Sequence, residues 1–177
     1  SLLKGKEAVV FDGEGPPSQI TSSSPTYIGF DIEITGRAAH AGAEPEKGIS
    51  AIRIASDIIS QLPNGRLDEE TTFNVGTIAG GSGRNAVPSD ATFSGEFRSR
   101  NTETLDLVRM QVLGTLEATR KRYPEAAIQE EMTVNFERYS LAEDDSLVVR
   151  TTRLLALLGL EPELGPSGGG TDALSPI

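Results

Sequence analysis

The 177-residue sequence predicts an α+β fold, an antiparallel sheet of four strands with two helices laid across one face. Three observations carry this. Four segments, 27–35, 71–79, 91–99 and 127–138, alternate apolar and polar residues with a period of two, the mark of strands with one buried face. Two longer segments, 48–61 and 103–123, repeat apolar residues three and four positions apart, the spacing of a helix with one apolar stripe. Their order is strand–helix–strand–strand–helix–strand, the split order of a ferredoxin-like two-layer sandwich.

Each element follows from its residues. In 27–35, Ile28, Phe30, Ile32 and Ile34 alternate with Tyr27, Gly29, Asp31 and Glu33. In 48–61, Ile49, Ile52, Ile54, Ala55, Ile58 and Ile59 form a broad stripe, and Pro63-Asn64-Gly65 ends it. Glu44 and Glu46 lie near the start of that helix and suit the positive end of its dipole. Segments 71–79 and 91–99 read as antiparallel strands joined by a long glycine-rich loop. Thr102 can cap the second helix, which buries Leu105, Val108, Val112 and Leu116, and Pro124 stops it. Ile128, Met132 and Val134 stand among the apolar members of the last strand. Residues 16–25, rich in Ser and Pro, read as irregular. A third helix over 144–159 carries Leu147, Val148, Leu154, Leu155, Leu157 and Leu158, more apolar than a surface helix needs. Residues 165–173 form a glycine-rich loop whose backbone amides could face an anion.

Composition narrows the function. The formal net charge is −10, and arginine outnumbers lysine twelve to four. Such a surface repels phosphate backbones, so no nucleic-acid partner is expected. No apolar run reaches membrane length and no signal peptide opens the chain, so no membrane association is expected either. With no cysteine there are no disulfides and no thiolate metal sites, which fits a cytoplasmic protein. Both ends read as cut: the chain opens on Ser1 and stops on Ile177 soon after the glycine-rich turn, as an excised piece of a longer protein would.

The single histidine, His40, lies in Gly36-Arg37-Ala38-Ala39-His40-Ala41-Gly42, a loop of small residues directly after a strand. One imidazole cannot hold a catalytic metal or run a hydrolytic triad, but it can touch a substrate. Three further motifs follow: Gly80-Gly81-Ser82-Gly83-Arg84-Asn85-Ala86-Val87-Pro88, Phe97-Arg98-Ser99, and Gly169-Gly170-Thr171-Asp172-Ala173. Together and in this order the four motifs resemble the lid, or dimerisation, domain of the two-zinc exopeptidases. That family includes peptidase T, carboxypeptidase G, aminoacylase and succinyl-diaminopimelate desuccinylase. The wording Ala-His-Ala-Gly-Ala-Glu-Pro-Glu-Lys-Gly and the final Gly-Gly-Thr-Asp most resemble the peptidase T branch, a tripeptide aminopeptidase. The resemblance runs from residue 8 to residue 175.

The resemblance implies a hydrolase that cuts short peptides with two zinc ions held in a separate catalytic domain. None of the family's ligand segments matches anything here, so this segment is expected to be inactive alone and to bind no metal. It implies domain limits of 1–25 for an N-terminal flank, 26–139 for the lid and 140–177 for a C-terminal flank. It implies a homodimer through the lid, with the helix at 48–61 and the strand at 71–79 as interface candidates. The histidine matching His40 reaches into the partner's site and hydrogen-bonds the scissile carbonyl as charge builds on it; losing such a donor costs about 10²–10³ in turnover. Whether His40 acts in its own chain or the partner's stays open. Asn85 matches a substrate-binding asparagine and equally suits a turn. Arg98 matches an arginine that grips a substrate carboxylate through its planar fork, or is a surface ion pair; Arg100 reads as solvated surface. Gly169, Gly170 and Thr171 match a loop beside the substrate, with Asp172 shaping it.

A different reading of the same residues is a free-standing ferredoxin-like module that binds a small ligand or regulates. Its RNA-binding version lacks exposed paired aromatics and a basic face.

Overall fold

The structure, a computed structural model, describes residues 9–11 and 15–169. Its elements run β1 (Gln19–Ser24), β2 (Thr26–Thr35), β3 (Ala39–His40), a 3-10 turn (Pro45–Lys47), α1 (Ala51–Ile59), β4 (Gly65–Arg66) and β5 (Thr71–Gly80). They continue with β6 (Ala86–Val87), β7 (Asp90–Ser99), α2 (Thr102–Arg122), β8 (Ala127–Phe136), β9 (Tyr139–Ser140), α3 (Ser146–Leu157) and β10 (Glu163–Pro166).

The main sheet has the order β4-β5-β7-β2-β8 and is antiparallel throughout. Without the two-residue edge strand β4 this is the ferredoxin-like order that the element sequence predicts. The alternation in β2 explains the layering. Ile28, Phe30, Ile32 and Ile34 are buried, whereas Asp31, Glu33 and Thr35 are exposed on the opposite face. The buried face meets Ala51, Ile54, Ala55 and Ile58 of α1 and Leu105, Val108, Val112 and Leu116 of α2. Each large side chain so buried is worth about 1.5–3 kcal/mol. The outer face is polar and carries no covering layer among the described residues.

Several boundaries differ from the sequence reading. Residues 19–24 are not irregular: β1 pairs parallel with β10 and antiparallel with β9, forming a second, three-stranded sheet. The break between the sheets falls at Pro25, between β1 and β2. The first helix starts at Ala51, with the Ser50 side chain accepting from the Arg53 amide at 3.2 Å. It cannot start at 48, because the Ile49 backbone is committed to a bridge with Arg37. That bridge runs so close that a Cβ on Gly36 would stand 2.1 Å from the Ile49 carbonyl oxygen, so only glycine fits. Glu44 and Glu46 therefore sit in and before the 3-10 turn rather than in the first turn of α1, and Glu44 pairs with Lys47. Asn101, not Thr102, caps α2: its side chain accepts from the Thr104 amide at 3.1 Å. The third helix spans Ser146–Leu157, capped by Asp145, and leaves Leu154, Leu157 and Leu158 exposed.

The two helices on the sheet are tied at one end by the Tyr123 hydroxyl, which donates to Asp57, while Arg122 approaches the same carboxylate at 3.4 Å. The hydrogen bond to Asp57 holds the Tyr123 phenol above its ordinary value of 10.0. A raised tyrosine stabilises the fold below its unfolded pKa, and that contribution is lost as pH rises through the folded value. Tyr123→Phe is expected to cost about 1 kcal/mol near neutral pH. In urea titrations the difference from the wild type should shrink once the tyrosine titrates.

Candidate functional site

His40 and Asn85 are brought side by side by a short ribbon. β3 pairs antiparallel with β6, placing His40 opposite Ala86 and Ala39 opposite Val87. The Ala41 amide donates to the Asn85 carbonyl at 3.0 Å, closing the ribbon beside the histidine. Local sequence accounts for this. Pro88 accepts from the Ala51 amide at 2.9 Å and Ser89 from the Gly36 amide at 2.7 Å, so both strands of the ribbon are pinned where they leave the sheet.

His40 is exposed, and its Nδ1 accepts from the Gly42 amide at 3.1 Å. An Nδ1 used as acceptor carries no proton, so in the neutral ring the proton sits on Nε2. The imidazole thus presents a single N–H donor outward, the form needed to hydrogen-bond a carbonyl oxygen. Asn85 is exposed at the same end. Its neighbour Arg84 lines a shallow cavity of about 360 Å³ with Ile52, Gly80, Gly81 and Pro88.

The same end of the sheet has an open edge. β4 meets β5 only at Thr72 and Phe73, so β5 from Asn74 to Gly80 has no strand on its outer side among the described residues. A register shift between Val75 and Thr77 places Ile78 opposite Phe93, on the helix-bearing face. Ile78 is 57% exposed, and Ile52 of α1, within 3.2 Å of where a Cβ on Gly81 would stand, is 42% exposed. An unpaired strand flanked by two isoleucines is a template for another chain.

Arg98 lies elsewhere. β7 has 10 residues, about 33 Å of extended chain; the His40 ribbon lies beyond its first residue and Arg98 is its penultimate one. The structure therefore does not bring Arg98 to His40 and Asn85 within one chain. Arg98 is half-buried and well occupied: Nε and Nη2 donate to Glu96 Oε2 at 2.9 and 2.6 Å, and Nη1 donates to the Gly168 carbonyl at 3.2 Å. Its guanidinium carbon sits 4.5 Å from the centre of the Tyr27 ring. The Glu96 pairing is legible in the sequence, since residues i and i+2 of a strand share a face.

Around Arg98 a cleft of about 260 Å³ forms where the two sheets meet, lined among others by Pro25, Arg66, Glu69, Glu70 and Arg100. Arg100 is not solvated surface. Its side chain is only 20% exposed, donating to Glu70 at 3.4 Å and to the Glu69 carbonyl at 3.3 Å. The adjoining turn is held by Asp68, which accepts from the Glu70 amide at 2.7 Å, a bond that keeps the Asp68 carboxyl below its ordinary value. Gly169 is half-buried and donates to Ser167 Oγ at 3.0 Å. Gly170, Thr171 and Asp172 lie outside the described residues. Among the described residues no three His, Cys, Asp or Glu side chains converge as a metal set, and no helix is long and apolar enough to cross a membrane.

Comparison with known proteins gives this geometry a family. Residues 23–124 match the M20 family model described as a peptidase dimerisation domain. The chain is similar to the uncharacterized protein YqjE of Bacillus subtilis, 35% identical over 98% of this chain and 46% of that protein. It is 32% identical to carboxypeptidase G2 of a Pseudomonas species, over 80% of this chain and 34% of that one. Among solved structures, the aminopeptidase PepT of Bacillus cereus superposes with a TM-score of 0.82 at 34% identity, covering 92% of this chain and 43% of that one. A tripeptidase of Staphylococcus aureus superposes at 0.84 with 27% identity and the same coverages. The chain thus spans less than half the length of each of these relatives. The fold, the order of the motifs and the match over residues 23–124 agree, and the chain belongs to the M20 peptidase family, whose dimerisation domain it carries.

Proposed function

We propose that this chain is the dimerising and substrate-contacting part of a zinc-dependent peptidase of short peptides, of the peptidase T kind. It delivers His40 and Asn85 to a partner subunit's active site. The observation that carries this reading is the separation just described. His40 and Asn85 share one end of the sheet, beside an open, isoleucine-flanked edge, while Arg98 and the glycine-rich loop lie about 30 Å away along β7. One chain cannot apply both ends to one short peptide. Two chains joined edge to edge by a two-fold axis can each lend the histidine end to the other.

The chemistry suits that role. The outward Nε2–H of His40 is a donor for an oxygen that gains negative charge during amide hydrolysis, and Asn85 supplies a second polar contact to the same group. Neither is a nucleophile, and the described residues offer no metal set. The ligands of two zinc ions are assigned to the remainder of the polypeptide, and this segment alone should hydrolyse nothing. Residues 1–25 and 140–177 are read as flanks of that catalytic part and 26–139 as the lid, in keeping with the break between sheets at Pro25. A cytoplasmic location rests on composition alone.

Light scattering of the 177-residue chain across concentration tests the dimer. A mass of twice the chain is expected. Ile78→Lys, which sets a charge on the open edge, should return it to one chain with its helix and sheet content unchanged. A strict monomer in both cases would overturn the dimerising role and favour the free-standing small-ligand module.

A further inference from the structure

We infer that Arg37 is a positioning residue for His40: its guanidinium clamps the 3-10 turn that backs the histidine ribbon. Arg37 stands three positions before His40 in the same motif. Its backbone closes the neck of the loop that carries the imidazole. The Arg37 amide donates to the Ile49 carbonyl at 3.0 Å, and the Ile49 amide donates to the Arg37 carbonyl at 2.8 Å. The side chain adds a bond further inside that loop. Its Nε donates to the Lys47 carbonyl at 2.6 Å, while Nη2 reaches Glu125 at 3.1 Å in the connection from α2 to β8.

The turn needs such a bond. Pro45–Lys47 buries none of its residues, so burial does not hold it, and the hydrogen bonds of a 3-10 turn are poorer than those of an α-helix. Yet the turn meets the histidine from two sides. On one, the His40 carbonyl accepts from the Ala43 and Glu44 amides at 3.2 and 3.1 Å, and the Glu44 carbonyl accepts from the Lys47 amide at 3.1 Å. On the other, Gly48 lies so near Val87 that a Cβ on Gly48 would stand 2.7 Å from Val87 Cγ1. Val87 is the residue opposite Ala39 in the ribbon. A turn free to shift therefore shifts the ribbon, and with it the direction of the His40 Nε2–H. Arginine suits the post because its planar fork presents donors in two directions at once.

The two contacts of the fork are not equal. In the pair with Glu125 the side chains are 56% and 67% exposed, and ion pairs so open to water contribute little. The bond to the Lys47 carbonyl is the one that holds the turn. The clamp stands on geometry alone; its consequence for catalysis rests on the peptidase reading above, in which His40 donates to the scissile carbonyl.

The experiment uses the full-length protein bearing Arg37→Ala, Arg37→Lys or Glu125→Gln, with Arg37→Ala made also in a His40→Ala background. Amide hydrogen exchange is read over residues 43–49, and hydrolysis of a tripeptide gives kcat and KM. The clamp predicts exchange at Glu44, Lys47 and Gly48 faster by about tenfold in Arg37→Ala, from loss of a charged hydrogen bond. It predicts a kcat lower by about tenfold with KM little changed, since a misplacement of about 1 Å can cost about 10². Arg37→Lys keeps one donor and should lie nearer the wild type, and Glu125→Gln should stay within about twofold of it. In the His40→Ala background Arg37→Ala should cost no further kcat, because the group it aims is gone. Unchanged exchange at the three amides overturns the clamp. So does a loss in Glu125→Gln as large as in Arg37→Ala, because the Lys47 bond survives there. An equal fractional loss of kcat with and without His40 overturns the positioning role. If the wild type does not hydrolyse the tripeptide, the peptidase reading fails while the exchange result still decides the clamp. Exchange in the core strand 28–34 serves as the folding control, since that segment should be unaffected in every variant.

Discussion

Replacing His40 by alanine in the full-length protein should lower kcat by about 10²–10³-fold, the usual cost of losing one donor to a developing oxyanion. KM should change little. The side chain is exposed and, among the described residues, bonds only the Gly42 amide, which water can satisfy once the ring is gone. The ribbon that carries it is held by backbone pairing of β3 with β6 and by the Ala41 amide on Asn85, none of which uses the imidazole. Stability and dimer mass should therefore stay at wild-type values. A His40→Ala protein with full turnover would remove the histidine from the mechanism. An inactive protein that is also monomeric or unfolded would assign it a structural role instead.

The same variant decides between action in its own chain and in the partner. Mixed dimers can be formed between His40→Ala subunits and subunits inactivated in the catalytic part. If the histidine serves the partner, each mixed dimer has one complete site, and random re-pairing should restore about a quarter of wild-type activity from two inactive parents. If it serves its own chain, no mixed dimer has a complete site and the mixture stays inactive. The separation of His40 from Arg98 along β7 favours the first outcome, because the two ends of the sheet cannot close on one short peptide without a second chain.

Much of the fold was legible because the main sheet is one-sided. A strand with one wet face must alternate, and β2 and β7 do so along their length, while β5 does so up to the register shift after Val75. What stayed hidden was fixed by partners distant in sequence. β1 reads Gln-Ile-Thr-Ser-Ser-Ser, a segment with no local preference for a strand, and is extended because β10 and β9 pair with it. β3 and β6 are two residues each, too short for any periodicity, yet they set His40 beside Asn85. The motifs located those two residues without revealing that one ribbon carries both, with His40 opposite Ala86 and the Ala41 amide on the Asn85 carbonyl. The motifs also set Arg98 among the substrate-contacting candidates; a strand carries a residue away about 3.3 Å per position, and β7 leads it to the opposite end of the sheet from His40. Asn101 and Ser50 are caps that composition alone allowed but did not single out from their neighbours.

The largest loss of stability from a single truncation is expected at Phe30. Its ring lies among Phe73, Phe93 and Phe97, with centre distances of 5.4, 6.4 and 6.3 Å, and is 1% exposed. Phe30→Ala should cost about 3–5 kcal/mol, by transfer of the ring to water and the cavity left behind. The ring has its place because Gly95, its partner across the β2–β7 ladder, has no side chain: a Cβ there would stand 2.3 Å from Phe30 Cζ and 2.4 Å from the Asn74 carbonyl oxygen. Gly95→Ala should therefore destabilise by overpacking, about 1–3 kcal/mol or more. The two changes touch the same space, so they should not add. In the double variant the alanine at 95 no longer meets a ring, only the Asn74 carbonyl, and its methyl fills part of the hole that Phe30→Ala opens. The summed single costs from urea unfolding should exceed the double by a clear margin. Additive costs would mean that the Asn74 carbonyl, not the ring of Phe30, is what keeps position 95 a glycine.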